Sequence, residues 1–322
     1  MLYVPVLVKF DFLGKDSVEW KKEVEFPQFV INVLQELIRK AKERKEEKAQ
    51  IFDRIGSRHV NDFLGAIVDG LTAKVFRTFH ATTTVSKSLE EADISESDPE
   101  YAKKEAAVMA NREAAIICNH MKQEPKNWDN RMQTFRERKG KADERIEKAK
   151  ENQNDREKRL VEAKAVLQEK KEKEKEQSDL LSSLKEQYNT LKEKSDFEDE
   201  KAQEAHTKEI ALLKKKIDSQ KKRVDQAKRS VESATKKVEN AKNSFGTAKE
   251  RVYKAKEAYN KVESQQRIAK NTKVWNLGTS LKSYIDPRVY YNWGKEVDYD
   301  WRNYYSSALQ KKFSWVERED EE

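Results

Sequence analysis

The stretch Val224-Asp225-Gln226-Ala227-Lys228-Arg229-Ser230-Val231-Glu232-Ser233-Ala234-Thr235-Lys236-Lys237-Val238-Glu239-Asn240-Ala241 decides how most of this chain folds. A large apolar residue alternates with alanine at steps of three and four, and every position between them is polar. That spacing places Val224, Ala227, Val231, Ala234, Val238 and Ala241 along one seam of a helix. The seam begins earlier, at Ile210, Leu213 and Ile217, and runs on through Phe245, Ala248, Val252, Ala255, Tyr259 and Val262. Only Gln220 interrupts it.

Upstream, a second seam keeps one phase through Ile146, Ala149, Leu160, Ala163, Leu167, Leu181, Leu184, Tyr188 and Leu191, broken by Lys170, Glu174 and Gln177. Two seams of similar length meet at Ser195–Glu200, near the middle of 126–270. This predicts an antiparallel helical hairpin. Each arm of about 65–70 residues would reach roughly 100 Å at 1.5 Å per residue. Charge supports the pairing: residues 141–200 carry a balance of −3 and residues 201–270 a balance of +11. Heptads alone do not fix partner or orientation, so a homodimeric coiled coil fits the same pattern.

Composition agrees with long helices. Charged residues make up 39% of the 322, and apolar ones 36%. The prolines stand at 5, 27, 99, 125 and 287, leaving 126–286 without one. The net charge of +8 suits a polyanionic partner or simply a solvated lysine-rich surface. A single cysteine, Cys118, excludes an internal disulfide, and no Cys/His cluster has zinc spacing. No apolar run reaches the roughly 18 residues of a membrane span. Met1–Val8 is apolar but lacks the flanks of a signal peptide.

Ahead of the coiled coil the chain changes character. Val8, Phe10 and Phe12 alternate with polar residues, as do Val18, Trp20, Val24 and Phe26. Gly14-Lys15-Asp16-Ser17 lies between, so a β-hairpin with Lys15 in its turn is predicted. Helices follow. The first opens after Pro27 and carries Val30, Val33, Leu34, Leu37 and Ile38. The second starts near Ser57, with Val60, Phe63, Leu64, Ile67 and Val68 on one face and Gly70 as its stop. The third, capped by Thr72, is expected to bury Val75, Phe76 and Phe79, with Arg77 beside them. A fourth spans about 101–122 and ends at Cys118-Asn119-His120.

Beyond Lys270 aromatic residues crowd together, from Trp275 to Trp315. This segment is too short to bury a good core alone and is expected to pack on residues 1–123. Within it, Leu277–Arg288 combines Gly278, a turn-forming Asp286-Pro287 and a tyrosine, Tyr284, between basic residues. The whole chain is therefore mainly α with a small N-terminal β-hairpin. It divides into a helical core over 1–123, a long antiparallel coiled-coil linker over 124–270, and a small C-terminal helical domain over 271–322.

These residues resemble the C-terminal part of eukaryotic type IB DNA topoisomerases. The match is carried by Phe10-Asp11-Phe12-Leu13-Gly14-Lys15-Asp16-Ser17, by Phe52-Asp53-Arg54 and by Gly70-Leu71-Thr72-Ala73-Lys74-Val75-Phe76-Arg77-Thr78. It continues in Cys118-Asn119-His120, Leu277-Gly278-Thr279-Ser280 and Tyr284-Ile285-Asp286-Pro287-Arg288. The family also joins core to tyrosine domain through a coiled-coil linker.

The resemblance implies DNA relaxation without ATP or a metal, and so without a cofactor. Tyr284 would attack a DNA phosphodiester in line and form a 3′-phosphotyrosine. Lys15 would protonate the leaving 5′ oxygen, while Arg77 and His120 would hold the non-bridging oxygens. Lys74, Asn61 and Thr279 would contact the DNA. The implied partner is double-stranded DNA and the implied compartment the nucleus. The family's core has a further active-site arginine and an N-terminal lobe upstream of the hairpin, outside this sequence. The resemblance thus implies a fragment, or a subunit completed by a separate N-terminal chain. Near the tyrosine the family reads Ser-Lys-aliphatic-Asn-Tyr, whereas this chain has Ser280-Leu281-Lys282-Ser283-Tyr284.

Two other readings stay open. One is a non-catalytic DNA-binding or coiled-coil scaffold that keeps the fold. The other is a tyrosine recombinase, which shares the Arg-Lys-His-Tyr chemistry; the long linker and the Leu-Gly-Thr-Ser approach to the tyrosine argue against it.

Overall fold

The structure is a computed structural model; it describes residues 6–13, 19–44, 49–193 and 200–318. Two strands, β1 (Val6–Leu13) and β2 (Glu19–Phe26), pair antiparallel with Val8 opposite Val24 and Phe12 opposite Trp20. The alternation puts the rings on one face. Trp20 stands 5.8 Å from Phe10 and 5.0 Å from Phe12, centroid to centroid. Four helices follow: α1 (Gln28–Glu43), α2 (Ser57–Ile67), α3 (Ala73–Glu91) and α4 (Glu100–Ile117). Then come the two long helices, α5 (Trp128–Lys192) and α6 (Glu200–Asn271). Short helices α7 (Leu277–Ser283) and α8 (Pro287–Glu296), a 3-10 turn at Trp301–Tyr304, α9 (Ser307–Lys312) and α10 (Trp315–Arg318) complete the chain. The described protein is mainly helical, with one two-stranded sheet.

The chain forms two compact units. One comprises Met1–Arg136 with Lys261–Glu322, the other Glu137–Asn260. The second unit is the paired part of α5 and α6. Their contacts run antiparallel: Lys139 lies over the Tyr259 ring, Gln177 meets Gln220, and Leu191 meets His206. Every seam residue from Ile210 to Tyr259 is buried or half-buried, while the residues between are mostly exposed. Two of the four seam exceptions, Gln177 and Gln220, turn out to be one feature. Gln220 is buried, and its amide donates to both the backbone and the side-chain oxygen of Gln177, at 2.9 and 3.0 Å. A buried polar pair that bonds only in one alignment fixes register.

The first unit has its core where α3 and α4 meet the C-terminal segment. Ala107, Ala110 and Ala114 give α4 a smooth face, and against it pack Tyr290, Trp293, Trp301, Tyr305 and Phe313. Tyr290 is fully buried and donates its hydroxyl to the Ala107 carbonyl at 3.1 Å. So the aromatic-rich segment does find its core on the preceding helices. Burial of that much ring surface, at about 25 cal/mol per Å², is what holds the two segments together. The start of α5 and the end of α6 add a smaller cluster of Met132, Phe135, Val262 and Ala269. There Arg267 forks onto Glu105 of α4 at 2.7 and 2.8 Å.

One expected face is different. Val75, Phe76 and Phe79 are exposed, Phe79 at 64%, and α3 instead buries Ala81, Val85 and Leu89. Counting back along that buried stripe in steps of four and three gives Arg77 and Lys74. The stripe turned to the C-terminal segment is therefore apolar at one end of α3 and cationic at the other. Phe63 and Ile67 of α2 are exposed as well, at 67% and 63%. Gly70 does take a left-handed conformation, φ 73°, though α2 has already ended at Ile67.

Candidate active site

Each part of the site is placed by a local rule. Lys74 and Arg77, three residues apart on α3, share one helix face. His120 is set by the way α4 stops. Asn119 adopts a left-handed conformation, φ 54°, its amide donates to the Ile116 carbonyl, and the His120 amide donates to Ala115 at 2.8 Å. Those two bonds make a Schellman ending, for which asparagine is an accepted substitute for glycine. His120 is thereby fixed just past the helix end.

Tyr284 occupies the short gap between α7 and α8. Asn276 caps α7 by accepting from the Thr279 amide, and Asp286 caps α8 by accepting from the Arg288 amide at 3.0 Å with Pro287 in the first turn. Ser280 closes α7, its carbonyl accepting from the Tyr284 and Ile285 amides. Burial pushes the Asp286 carboxyl up, but the Arg288 side chain and amide outweigh it and hold the group below the ordinary carboxylate range.

Three attachments then bring the tyrosine to the other groups. The Asn276 amide donates to the His120 carbonyl at 2.7 Å, beside a bridge between Met121 and Trp275. Asn111 of α4 donates to the Leu277 carbonyl at 3.1 Å and to the Tyr304 hydroxyl at 2.8 Å. The Thr82 hydroxyl of α3 accepts from the Asp286 amide at 3.1 Å and lies 3.4 Å from the Tyr284 carbonyl, to which it donates. The backbone on both sides of the tyrosine is thus tied to α3 and α4.

The result is a cluster around one phenol ring. His120 lies 5.1 Å from the Tyr284 ring, centroid to centroid, and its Nδ1 is 2.7 Å from the buried Ser280 hydroxyl. The Arg77 guanidinium is 5.5 Å from the ring centre and the Lys74 ammonium 5.8 Å. Neither cation has a carboxylate partner among the described residues. Burial raises the Cys118 thiol, and the Arg77 charge partly opposes that rise. Two cations and an imidazole thus surround a half-buried phenol, an arrangement with the positive charge and N–H donors that an anion requires.

The profile of the eukaryotic DNA topoisomerase I catalytic core matches residues 2–153, and that of the C-terminal topoisomerase domain matches residues 256–322. DNA topoisomerase 1 of Schizosaccharomyces pombe is 31% identical over 97% of this chain. The chain belongs to the eukaryotic DNA topoisomerase I family. It spans 38% of the fission yeast relative's length. DNA topoisomerase 1 of Drosophila melanogaster is 38% identical over 44% of this chain and 14% of its own length. The human mitochondrial DNA topoisomerase I is 36% identical over 40% of this chain and 21% of its own.

In this chain the structure brings Tyr284, His120, Arg77 and Lys74 together. Lys15 lies outside the described residues. Asn61 is engaged elsewhere, its side-chain oxygen accepting from the Ala73 amide at 3.1 Å and so capping α3 in place of Thr72. Thr279 is half-buried in the first turn of α7. Sequence reasoning overlooked Thr82 and Asn111 as supports. The run Thr82-Thr83-Thr84 in mid-helix is the signal for the first, since β-branched hydroxyl residues are poor helix formers and need another reason to be there.

Proposed function

We propose that this chain carries the nucleophile half of a type IB DNA topoisomerase, relaxing supercoiled DNA by transient cleavage of one strand. The observation that supports it best is the convergence of His120, Arg77 and Lys74 within 5.1–5.8 Å of the Tyr284 ring. With the tyrosine, these groups come from three separate segments of a chain that belongs to the topoisomerase I family.

In this reading the Tyr284 oxygen attacks a phosphodiester phosphorus. The bond to the 5′ oxygen breaks, and the strand is left joined through a 3′-phosphotyrosine. The phenol's proton passes to solvent, and Lys15 supplies a proton to the departing 5′ oxygen. Arg77 and His120 donate to the non-bridging oxygens, where charge grows in the transition state. Lys74, Asn61 and Thr279 contact the DNA backbone. Reversal reseals the strand, and since the covalent link conserves the bond energy, no ATP is consumed; the protein's own cations take the place of a metal ion. The partner is double-stranded DNA and the setting the nucleus.

A second partner is part of the proposal. Phe29 and Val33 of α1, Phe63 and Ile67 of α2, and Phe76 and Phe79 of α3 are exposed apolar side chains. Large apolar side chains left in water favour a partner that buries them. An N-terminal topoisomerase portion carrying a further active-site arginine, whether joined to these residues or on a separate chain, would cover them.

The test is covalent capture. The full chain is mixed with a DNA duplex, alone and with a relative's N-terminal portion, and protein-linked DNA is read on a denaturing gel. Adduct and relaxation are expected with the added portion and little or none without it. Tyr284→Phe should abolish the adduct; an adduct that survives the change refutes the assignment. Salt-sensitive binding with no adduct under any condition would favour a non-catalytic scaffold.

A further inference from the structure

Ser280 is fully buried, and its hydroxyl is 2.7 Å from His120 Nδ1. No other hydrogen-bond partner of that hydroxyl occurs among the described residues. A hydroxyl has one proton to give and lone pairs to offer. If Nδ1 carried a proton and donated it, the Ser280 proton would be buried without an acceptor. If Ser280 donates to Nδ1, that proton is used, and only an idle lone pair remains, the lesser cost. Nδ1 is then the unprotonated nitrogen, and in a neutral ring the proton must sit on Nε2.

The His120 carbonyl accepts from the Asn276 amide, and Ser280 itself accepts from Tyr284 and Ile285 through its carbonyl. The imidazole is gripped by the same short helix that presents the nucleophile.

We propose that Ser280 is a positioning residue that locks His120 as its Nε2–H tautomer. The neutral imidazole then offers an N–H donor to an anion beside Tyr284, with no need for the imidazolium. This rests on the reading of that anion as a DNA phosphodiester. The hydroxyl does for this histidine what an outer partner does for a metal-bound one, fixing which nitrogen is the donor.

The test reads the tautomer directly. The full chain, with ¹⁵N-labelled histidine, gives signals from four residues; His120→Gln identifies the one that matters. At a pH where imidazoles are neutral, His120 is expected to show a bare, hydrogen-bonded Nδ1 and a protonated Nε2. A protonated Nδ1 in the unaltered chain overturns the proposal, whatever the catalytic outcome. Folded Ser280→Ala should give a mixture of tautomers, and an unchanged tautomer overturns the proposal. Should that variant fail to fold, the unaltered chain alone decides.

A second arm uses adduct formation with the N-terminal portion added. Ser280→Ala is expected to slow it about 10-fold and to have no further effect when combined with His120→Gln. Independent, multiplying losses would overturn the coupling. Absence of adduct from every form, the unaltered chain included, would count against phosphoryl transfer, and the tautomer spectrum would still decide the role of Ser280.

Discussion

The hairpin of α5 and α6 and the cluster around Tyr284 are built on opposite plans. In the hairpin one contact recurs every three or four residues, so each seam residue has many equivalents. Around the tyrosine every supporting group comes from a different element and occurs once: Thr82 from α3, Asn111 from α4, Ser280 from α7, Asp286 at the start of α8. Repetition spreads the load and makes single losses tolerable. Convergence concentrates it, so one lost group should be felt both in the fold and in the chemistry.

The largest effect that would sharpen this contrast is Tyr290→Ala. A fully buried ring that also bonds the Ala107 carbonyl should cost about 3–5 kcal/mol in a denaturant titration. Val224→Ala in the hairpin should cost roughly 1–2 kcal/mol; equal losses would break the comparison. Arg77→Ala should slow covalent capture by about 10²–10³-fold while leaving the melting temperature unchanged, because the side chain is exposed and has no carboxylate partner among the described residues. A fall in stability there would show that Arg77 holds the fold rather than a ligand.

Thr82→Val keeps the shape and removes the hydroxyl that joins Asp286 to the Tyr284 carbonyl. It should cost about 1–2 kcal/mol and slow capture as well, whereas Thr207→Val on α6 should change neither. Asp286→Ala should lose about 1 kcal/mol through the missing cap. The charged carboxyl is the form the folded state favours. Its contribution is complete above the ordinary aspartate pKa of about 3.9 and disappears as the pH falls through the lower folded value. Asp286→Asn should therefore flatten the acid limb of stability; an unchanged limb would show that the Arg288 pair is solvated and idle. Smallest of all, Gln177→Leu with Gln220→Leu should shift stability by under about 1 kcal/mol in either direction, yet loosen alignment, visible as new cross-links between mispaired arms.

Periodicity made the hairpin readable. Ile217, Val224, Ala234, Ala248 and Val252 are buried where the spacing requires. The aromatic face of β1 and β2 and the docking of the Trp275–Trp315 segment were equally plain. The apolar side of α3 was not. Its sequence offers two stripes, Val75, Phe76 and Phe79 against Ala81, Val85 and Leu89, and spacing reports which faces are apolar without saying which meets a partner. Tyr284, Arg77 and His120 were singled out because their motifs resemble a family, and the structure brings them together. Ser280 and Thr82 act through single hydroxyls made decisive by neighbours some 160 and 200 positions away in sequence, and no local pattern encodes such a distance.

The bond between Gln177 and Gln220 also sets a rule for changing the hairpin's length. Removing one seven-residue repeat from α6 between the tip and Gln220 would keep the apolar phase intact. It would nevertheless bring Gln220 opposite Leu184 and Gln177 opposite Ala227, stranding both amides. The arms can be shortened or lengthened only in matched pieces, one from each side. The two glutamines act as an index mark against which any insertion or deletion is measured.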